Sequence, residues 1–391
     1  MKNKNLPNSK DLDEMISKIL SVMDRTITIH GNRRPEIGRK TPDKGWHYTE
    51  PHYWTEAFWP GQLWLAYDHT KDKRFLTAAR RHTPAFQKML ATPEWLHHDV
   101  GFLFLMSSVT DFSLTRDQAA RARALRAADV LRSRFQWHGR YILAWNPKPE
   151  NDAWNKVASG KMIIDSMENI SLLYWAARES GETAYTDIAT EHALTMQKHI
   201  IRDDGSTYHC FNFDPVTGKP AGGDTHQGWN IESCWSRGQA WAVHGFCQTY
   251  LNTKKREFLE TACRLADYVI LNLPEDKVPL WDFKIPPEAP QVRDSSAGAI
   301  ICSGLLSIAQ ALKPIDKEKA DYYWKAGMEM LSGLKKCCDI CDDPEAQGFL
   351  GQGASHAKKG SYWSSAMLPY GDYYYLEAIL RARGKSDFIW T

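Results

Sequence analysis

The chain has no surplus of charge of either sign: 49 Lys and Arg against 47 Asp and Glu give a formal net charge of +2 across 391 residues. No basic stripe stands out, which removes the electrostatic footprint of a nucleic-acid binder, and no nucleic-acid partner is expected. No uninterrupted apolar run approaches the ~18 residues of a membrane span, and Met1-Lys2-Asn3-Lys4-Asn5-Leu6-Pro7 lacks a leader's apolar core. A chain off the membrane is expected, cytoplasmic by default, or periplasmic if a leader has been removed. Cysteines are few: of eight, only Cys337, Cys338 and Cys341 lie close together, with no second pair at zinc spacing, so they read as scattered thiols. Composition does not set the oligomeric state, and a monomer or weak dimer is expected.

Tryptophan is abundant, with 16 in the chain. Indole rings fill cores, and they also form the walls on which the C–H faces of sugars stack. Apolar content of 43% with 25% charged residues is that of a globular protein, read here as one domain over 1–391 with residues 1–10 as a disordered N-terminal tail.

Turn signals and amphipathic runs predict twelve helices, near 11–29, 54–69, 73–90, 98–113, 117–135, 162–180, 183–200, 234–252, 256–271, 294–312, 316–335 and 362–383. Odd-numbered ones carry one apolar stripe among many charges, as in Leu12, Ile16, Ile19 and Met23; even-numbered ones are rich in Trp, Gly, Ala and Ser, as in Ser295–Ile301. Alternating outer and inner helices describe an all-α fold, an (α/α)6 barrel of six helical hairpins. Connections from inner to outer helix are short, whereas those from outer to inner are mostly long (30–53, 136–161, 201–233, 272–293, 336–361). The long loops therefore gather at one rim, where the inner helices begin and where functional residues are expected. Residues 206–213 read as a strand and 214–218 as a turn. The pairing of Trp59-Pro60-Gly61-Gln62-Leu63-Trp64 with Trp235-Ser236-Arg237-Gly238-Gln239-Ala240-Trp241 is a weak internal echo.

The first turns of the inner helices bring to that rim Trp54 and Glu56, His98 and Asp99, Asp165, Trp235 and Arg237, Arg293 and Asp294, and Tyr362 and Trp363. Carboxylates, tryptophans and arginine around one mouth suggest an acidic sugar as ligand and acid–base chemistry as reaction. Each residue has a plainer reading as well. Asp165 and Asp99 are also at positions that suit helix caps, His209 suits a packed histidine, Trp235 and Trp241 suit a core, and Arg237 suits a structural ion pair. Glu168 and Asn169, one turn beyond Asp165, have no assigned part. His97-His98-Asp99 raises the question of a metal, but consecutive ligands rarely share one coordination geometry, so neither metal nor cofactor is expected.

Six segments together resemble the unsaturated glucuronyl hydrolases, glycoside hydrolase family 88. They are His98-Asp99-Val100-Gly101-Phe102, Ile164-Asp165-Ser166-Met167-Glu168-Asn169 with Leu172–Ala176, Thr225-His226-Gln227-Gly228, Trp235–Trp241, Arg293–Ala297 and Gly371–Ala378. The resemblance implies the same barrel and a substrate: a lyase-generated oligosaccharide, expected from glycosaminoglycans, with an unsaturated uronic acid at its non-reducing end. It implies Asp165 as general acid/base with Asp99 as partner, His209, Gln227, Trp235, Arg237 and Trp241 around the unsaturated sugar, and Trp54 as a stacking wall. Members that prefer sulfated substrates carry Ser-x-x-Ser-x-Lys before the last helix; here the stretch is Ala354-Ser355-His356-Ala357-Lys358-Lys359, so the serines are replaced and Lys359, or Lys358, stays as a contact or a solvated charge. A rhamnogalacturonyl hydrolase of the same fold and a non-catalytic sugar-binding toroid are the alternative readings.

Overall fold

The computed structural model describes residues 6–39, 45–49, 52–148, 150–359 and 363–391, the side chain of Lys359 excepted. Its helices follow one another as outer and inner members of hairpins. In the first, α1 (Ser9–His30) leads to α2 (Phe58–Thr70); in the second, α3 (Lys73–Arg80) and α4 (Thr83–Ala91) lead to α5 (Val100–Phe104), a π turn (Leu105–Val109) and α6 (Thr110–Thr115). In the third, α7 (Gln118–Arg132) is followed by the short α8 (Asp152–Ala158) and then by α9 (Ser166–Asn169) and α10 (Ser171–Ser180). The last three are α11 (Thr183–Ile200) with α12 (Ser236–Thr253), α13 (Arg256–Asn272) with α14 (Ser295–Leu312), and α15 (Lys317–Cys337) with α16 (Pro369–Ala382). Inner helices contact their neighbours in turn, α12 on α14, α14 on α16, and α16 back on α2, which closes the ring.

Burial explains the two compositions. Inner α12 hides Ser236 through Thr249 and leaves no polar face to water, while outer α13 buries only the stripe Phe258, Leu259, Ala262, Leu265, Ala266 and Val269. The 18-residue α14 is by length and composition apolar enough to cross a membrane, but 94% of it is buried as an inner helix of the ring. Its apolarity comes from being surrounded by protein on every side.

Several boundaries also differ from the sequence reading. Of the expected tail, residues 6–10 lie within the described residues, and Ser9 and Lys10 already belong to α1, because Asn8 caps it: its Oδ1 accepts from Lys10 N, and Asp11 Oδ2 accepts from Asn8 N at 2.9 Å. The outer helix expected over 73–90 breaks before Pro84, which has no N–H to continue the first segment. The last inner helix starts at Pro369, preceded by an extended Leu368, instead of near 362; Tyr362 lies outside the described residues.

Small sheets decorate the rim. Strands β1 (Pro35–Gly38) and β2 (Trp46–Tyr48) pair, as do β3 (Phe135–Gln136) and β4 (Tyr141–Ile142). The expected hairpin in the long loop after α11 forms as β6 (Cys210–Phe213) and β7 (Pro220–Asp224), and β5 (Lys161–Ile163) adds to it through Met162 opposite Phe211 and Ile163 opposite Cys210. Residues 162–163, expected as helix, are thus strand, and the chain turns into α9 at Asp165.

Candidate active site

The starts of the inner helices and the long loops surround a cavity of ≈ 910 Å³ whose lining includes Trp54, Asp99, Asp165, Gln227, Trp235 and Arg237. Asp165 sits at the junction of β5 and α9. The sheet bond from Ile164 N to His209 O (3.0 Å) fixes it from one side, and α9 from the other. It occupies the N-cap position with helical dihedrals (φ −57°, ψ −26°), and its side chain accepts no cap hydrogen bond. The capping reading therefore fails: the carboxyl makes no hydrogen bond to the helix end it would have served. Its side chain is 15% exposed, and Oδ2 is buried without a hydrogen-bond partner, 3.7 Å from His209 Nε2.

Burial lifts the Asp165 carboxyl from 3.8 to about 7, helped by the charge of Glu168 and opposed by Arg237. Asp99, at the start of α5, is also held well above the carboxylate range, first by burial and then by the charge of Asp165. Burial is the larger cause for both, and as like charges the two carboxyls each disfavour the other's ionisation.

Asn169 joins the two acids. Its Nδ2 donates to Asp99 Oδ1 (3.2 Å) and to the Asp165 carbonyl (3.1 Å), and its Oδ1 accepts from Phe102 N at 2.6 Å. This interlock requires Gly101, where an added Cβ would lie 2.4 Å from the Asn169 backbone. Gly101→Ala is expected to separate the helix starts, costing about 1–3 kcal/mol by overpacking and at least tenfold in kcat; a variant with unchanged urea midpoint and kcat would contradict the interlock. Asp99 also approaches His97 Nδ1 (3.3 Å) and His98 Nδ1 (3.4 Å), so three metal-ligand atom types lie within 4.8 Å of one another. Burial holds both imidazoles well below their ordinary value, hence neutral, beside a carboxyl that burial pushes upward. These are the contacts of an acid–imidazole cluster.

His209 is 3% exposed and stacks on Trp235 with ring centroids 4.2 Å apart. Its Nδ1 accepts from Gln227 N (3.1 Å) and His226 N (3.3 Å), and burial keeps the ring neutral. The proton therefore sits on Nε2, the nitrogen that faces Asp165. The Gln227 side chain donates to Ser355 O at 2.8 Å. Arg237, 1% exposed, donates from Nη1 to Asp294 Oδ2 (2.6 Å) and Ala354 O (2.7 Å), and from Nη2 to Ser355 O (2.9 Å). Its guanidinium lies 4.5 Å over the Trp235 ring and 5.1 Å over Tyr370. The structural ion pair and the place at the mouth, offered by the sequence as alternatives, are both present in one side chain.

A sequence model of the family described as Glycosyl Hydrolase Family 88 matches residues 20–382. The chain belongs to that family. It is 38% identical over 371 residues, 94% of this chain and 96% of the relative, to the unsaturated glucuronyl hydrolase of Bacillus sp. (strain GL1). The crystal structure of that Bacillus enzyme superposes with a TM-score of 0.90, covering 97% of this chain and 98% of the other at 35% identity. The unsaturated chondroitin disaccharide hydrolase of Streptococcus pyogenes is 37% identical over 84% of this chain and 80% of its own length. A variant of the Streptococcus agalactiae unsaturated glucuronyl hydrolase, solved with dGlcA-GalNAc6S, matches with a TM-score of 0.83 at 29% identity, covering 99% of this chain and 95% of that one.

Two expected contacts, His209 and Trp241, do not line this family 88 cavity. Trp241 is fully buried beneath it, between Phe102 (5.2 Å) and Tyr374 (5.5 Å), because one turn past Arg237 the helix has already entered the packed ring. Lys359 belongs to a short 3-10 turn, Ala357–Lys359, with its side chain outside the described atoms. Neighbouring Lys358 is used by the fold, donating to Gly228 O at 2.8 Å.

Other wall residues were missed. Trp145 packs against Trp154 (5.5 Å) and His226 (5.2 Å), and Trp95, 65% exposed, stands at the edge. The surplus of tryptophan was the signal for them; their meeting depends on loops far apart in sequence.

Proposed function

We propose that this family 88 chain removes the non-reducing-end unsaturated glucuronic acid from lyase-generated oligosaccharides, glycosaminoglycan disaccharides foremost, by adding water across the C4=C5 bond. The observation that carries the reading is Asp165: a carboxyl held up to about 7, with one oxygen unpartnered, at the floor of an aromatic-walled cavity. The names of the relatives and the dGlcA-GalNAc6S bound to one of them support the choice of substrate.

The double bond conjugated to the ring oxygen is a vinyl ether. Protonated Asp165 gives its proton to C4, and positive charge develops over C5 and O5. The carboxylate left behind takes a proton from water as that water's oxygen bonds to C5, so Asp165 is regenerated. The hemiketal at C5 opens to a ketone, and the hemiacetal exposed at C1 releases the aglycone. One carboxyl serves both steps, unlike the paired carboxylates across an anomeric carbon in ordinary glycosidases. Asp99 would bind sugar hydroxyls beside it, Trp54 and Trp235 would flank the ring, and Arg237 would favour the sugar's carboxylate.

Incubating the chain with unsaturated disaccharides from chondroitin, hyaluronan and heparin, sulfated and unsulfated, tests this by loss of the conjugated C=C absorbance. Decay on at least one is expected, and its relative rates give the preference. No decay on any of them would overturn the reading.

A further inference from the structure

Beneath Asp165 lies a set of ionisable side chains that the reaction as described does not use. Glu168 stands one helical turn further along α9 and is fully buried. His244 Nδ1 sits 2.9 Å from both of its carboxylate oxygens, and Tyr374 OH donates to Oε2 at 3.1 Å. On the far side His244 Nε2 is 3.3 Å from Glu377 Oε1, which also accepts from Ser303 Oγ (2.7 Å) and lies 2.8 Å from Arg381 Nη2, while Trp390 Nε1 donates to Glu377 Oε2 at 2.8 Å. Glu168, His244, Glu377 and Arg381 thus alternate in sign down the barrel axis. None is more than 1% exposed. Buried ion pairs are costly, and apolar side chains of similar volume often serve stability as well or better, so stability alone is a weak account of this chain of charges.

Its orientation suggests what it does. The end nearest the reacting carboxyl is the anion Glu168, with its compensating cation, His244, on the far side. The groups that face Asp165 from other elements are Asp99 at the start of α5, His209 before β6, and Arg237 on α12. His209 is neutral, and Arg237 is compensated by Asp294 at 2.6 Å. Asp165 therefore faces Arg237, which still opposes its protonation although paired with Asp294, and against that cation stand the like-charged Asp99 and the negative end of a fixed charge array. Side chains three apart on a helix are neighbours, about 5–6 Å between Cβ atoms, and a field across a water-poor interior is weakly screened.

We propose that Glu168, held as a carboxylate by His244 and Tyr374, is a positioning residue that keeps Asp165 protonated near neutral pH and so ready to act as the acid. This rests on the hydrolase reading above. The direction of the Asp165 shift agrees, with Glu168 pushing upward, and His244 is itself raised to about 8 by its two carboxylate partners although burial opposes it. Burial pushes Glu168 itself upward, and His244 and the Tyr374 hydroxyl are the groups that oppose this and favour its carboxylate.

The test is the pH profile of kcat/KM on an unsaturated disaccharide. The wild-type profile is expected to fall on its basic side near 7, as Asp165 loses its proton. Glu168→Gln, an isostere without the charge, is expected to move that basic limb down by about one pH unit, a tenfold change in proton affinity. KM is expected to hold, since Glu168 does not line the cavity. Glu168→Asp keeps the charge and should leave the limb where it is. Glu377→Gln disturbs the same array at its distant end and should leave it in place too, which separates an electrostatic effect from loosened packing. If Glu168→Gln does not fold, His244→Gln takes its place. It removes the cation that holds Glu168 as a carboxylate, so the buried Glu168 takes up a proton and the limb should move downward, as in Glu168→Gln. A folded variant that is active with an unmoved limb, or a limb that moves equally in Glu377→Gln, overturns the proposal. Inactivity of the wild-type chain on every unsaturated disaccharide would instead overturn the hydrolase reading.

Discussion

Replacing Asp165 with Asn is expected to lower kcat about 10³-fold, within the 10²–10⁴ range of positioned acid–base groups, while substrate affinity stays within a few-fold. The amide has the shape of the carboxyl and no hydrogen bond that the fold depends on, since Oδ2 is unpartnered and the side chain does not cap α9. It can neither protonate C4 nor accept a proton from water, so both halves of the reaction stop together. The same variant should be more stable than the native chain at alkaline pH. Asp165 is raised in the folded state, from 3.8 to about 7, so the fold binds its proton more tightly than the unfolded chain does. Stability from this group is therefore greatest at low pH, declines as pH rises from about 4 through about 7, and reaches its full penalty above that. That penalty has a ceiling of about 4 kcal/mol, and slight exposure of the side chain brings it to about 2–3 kcal/mol. Urea unfolding should show Asp165→Asn ahead by that amount at pH 8 and level at pH 4. Retained turnover, or equal destabilisation at both pH values, would remove Asp165 from its assigned place.

Much of this site could be read in advance because the barrel writes its layers into composition. Charged stripes such as that of α13 and uncharged runs such as α14 separate outer from inner helices, and loop length then tells which rim is the mouth. The inner helix starts put Asp99 and Asp165 at the mouth among several other residues, and the resemblance to family 88 singled out the pair. What stayed hidden depends on contacts distant in sequence. Met162 and Ile163 fit a helical pattern as well as a strand, and only their partners Phe211 and Cys210 decide between the two. Trp235 and Trp241 are near neighbours in sequence, yet one lines the cavity and the other is core, because a helix packed on every side gives no periodic cue to which face meets a ligand. The roles of Glu168 and Asn169 were equally illegible: their partners His244 and Asp99 lie 76 and 70 residues away.

Arg237→Ala is expected to cost about 3–5 kcal/mol of stability, because removing one member of a buried pair strands the other. Asp294 would be left fully buried without the cation 2.6 Å from its Oδ2, with its Oδ1 still accepting from Ser296 N, Ser296 Oγ and Ala354 N. The carbonyl of Ala354 would lose its side-chain donor in the same step, and that of Ser355 one of two. Ser355 O also anchors the Gln227 side chain, and Gln227 N in turn fixes His209 Nδ1, so the loss propagates to the imidazole facing Asp165. A raised KM should therefore accompany the lower urea midpoint. Arg237→Lys should recover only part of either, since one ammonium cannot span the planar set of acceptors that the guanidinium fork reaches. The double variant Arg237→Leu with Asp294→Leu should regain at least 2 kcal/mol over Arg237→Ala, because no buried charge is left unpaired, yet its KM should stay high. Stability and substrate binding are then separated by one pair of measurements. A loss below about 1 kcal/mol in Arg237→Ala would mean that water or a rearranged loop already satisfies Asp294.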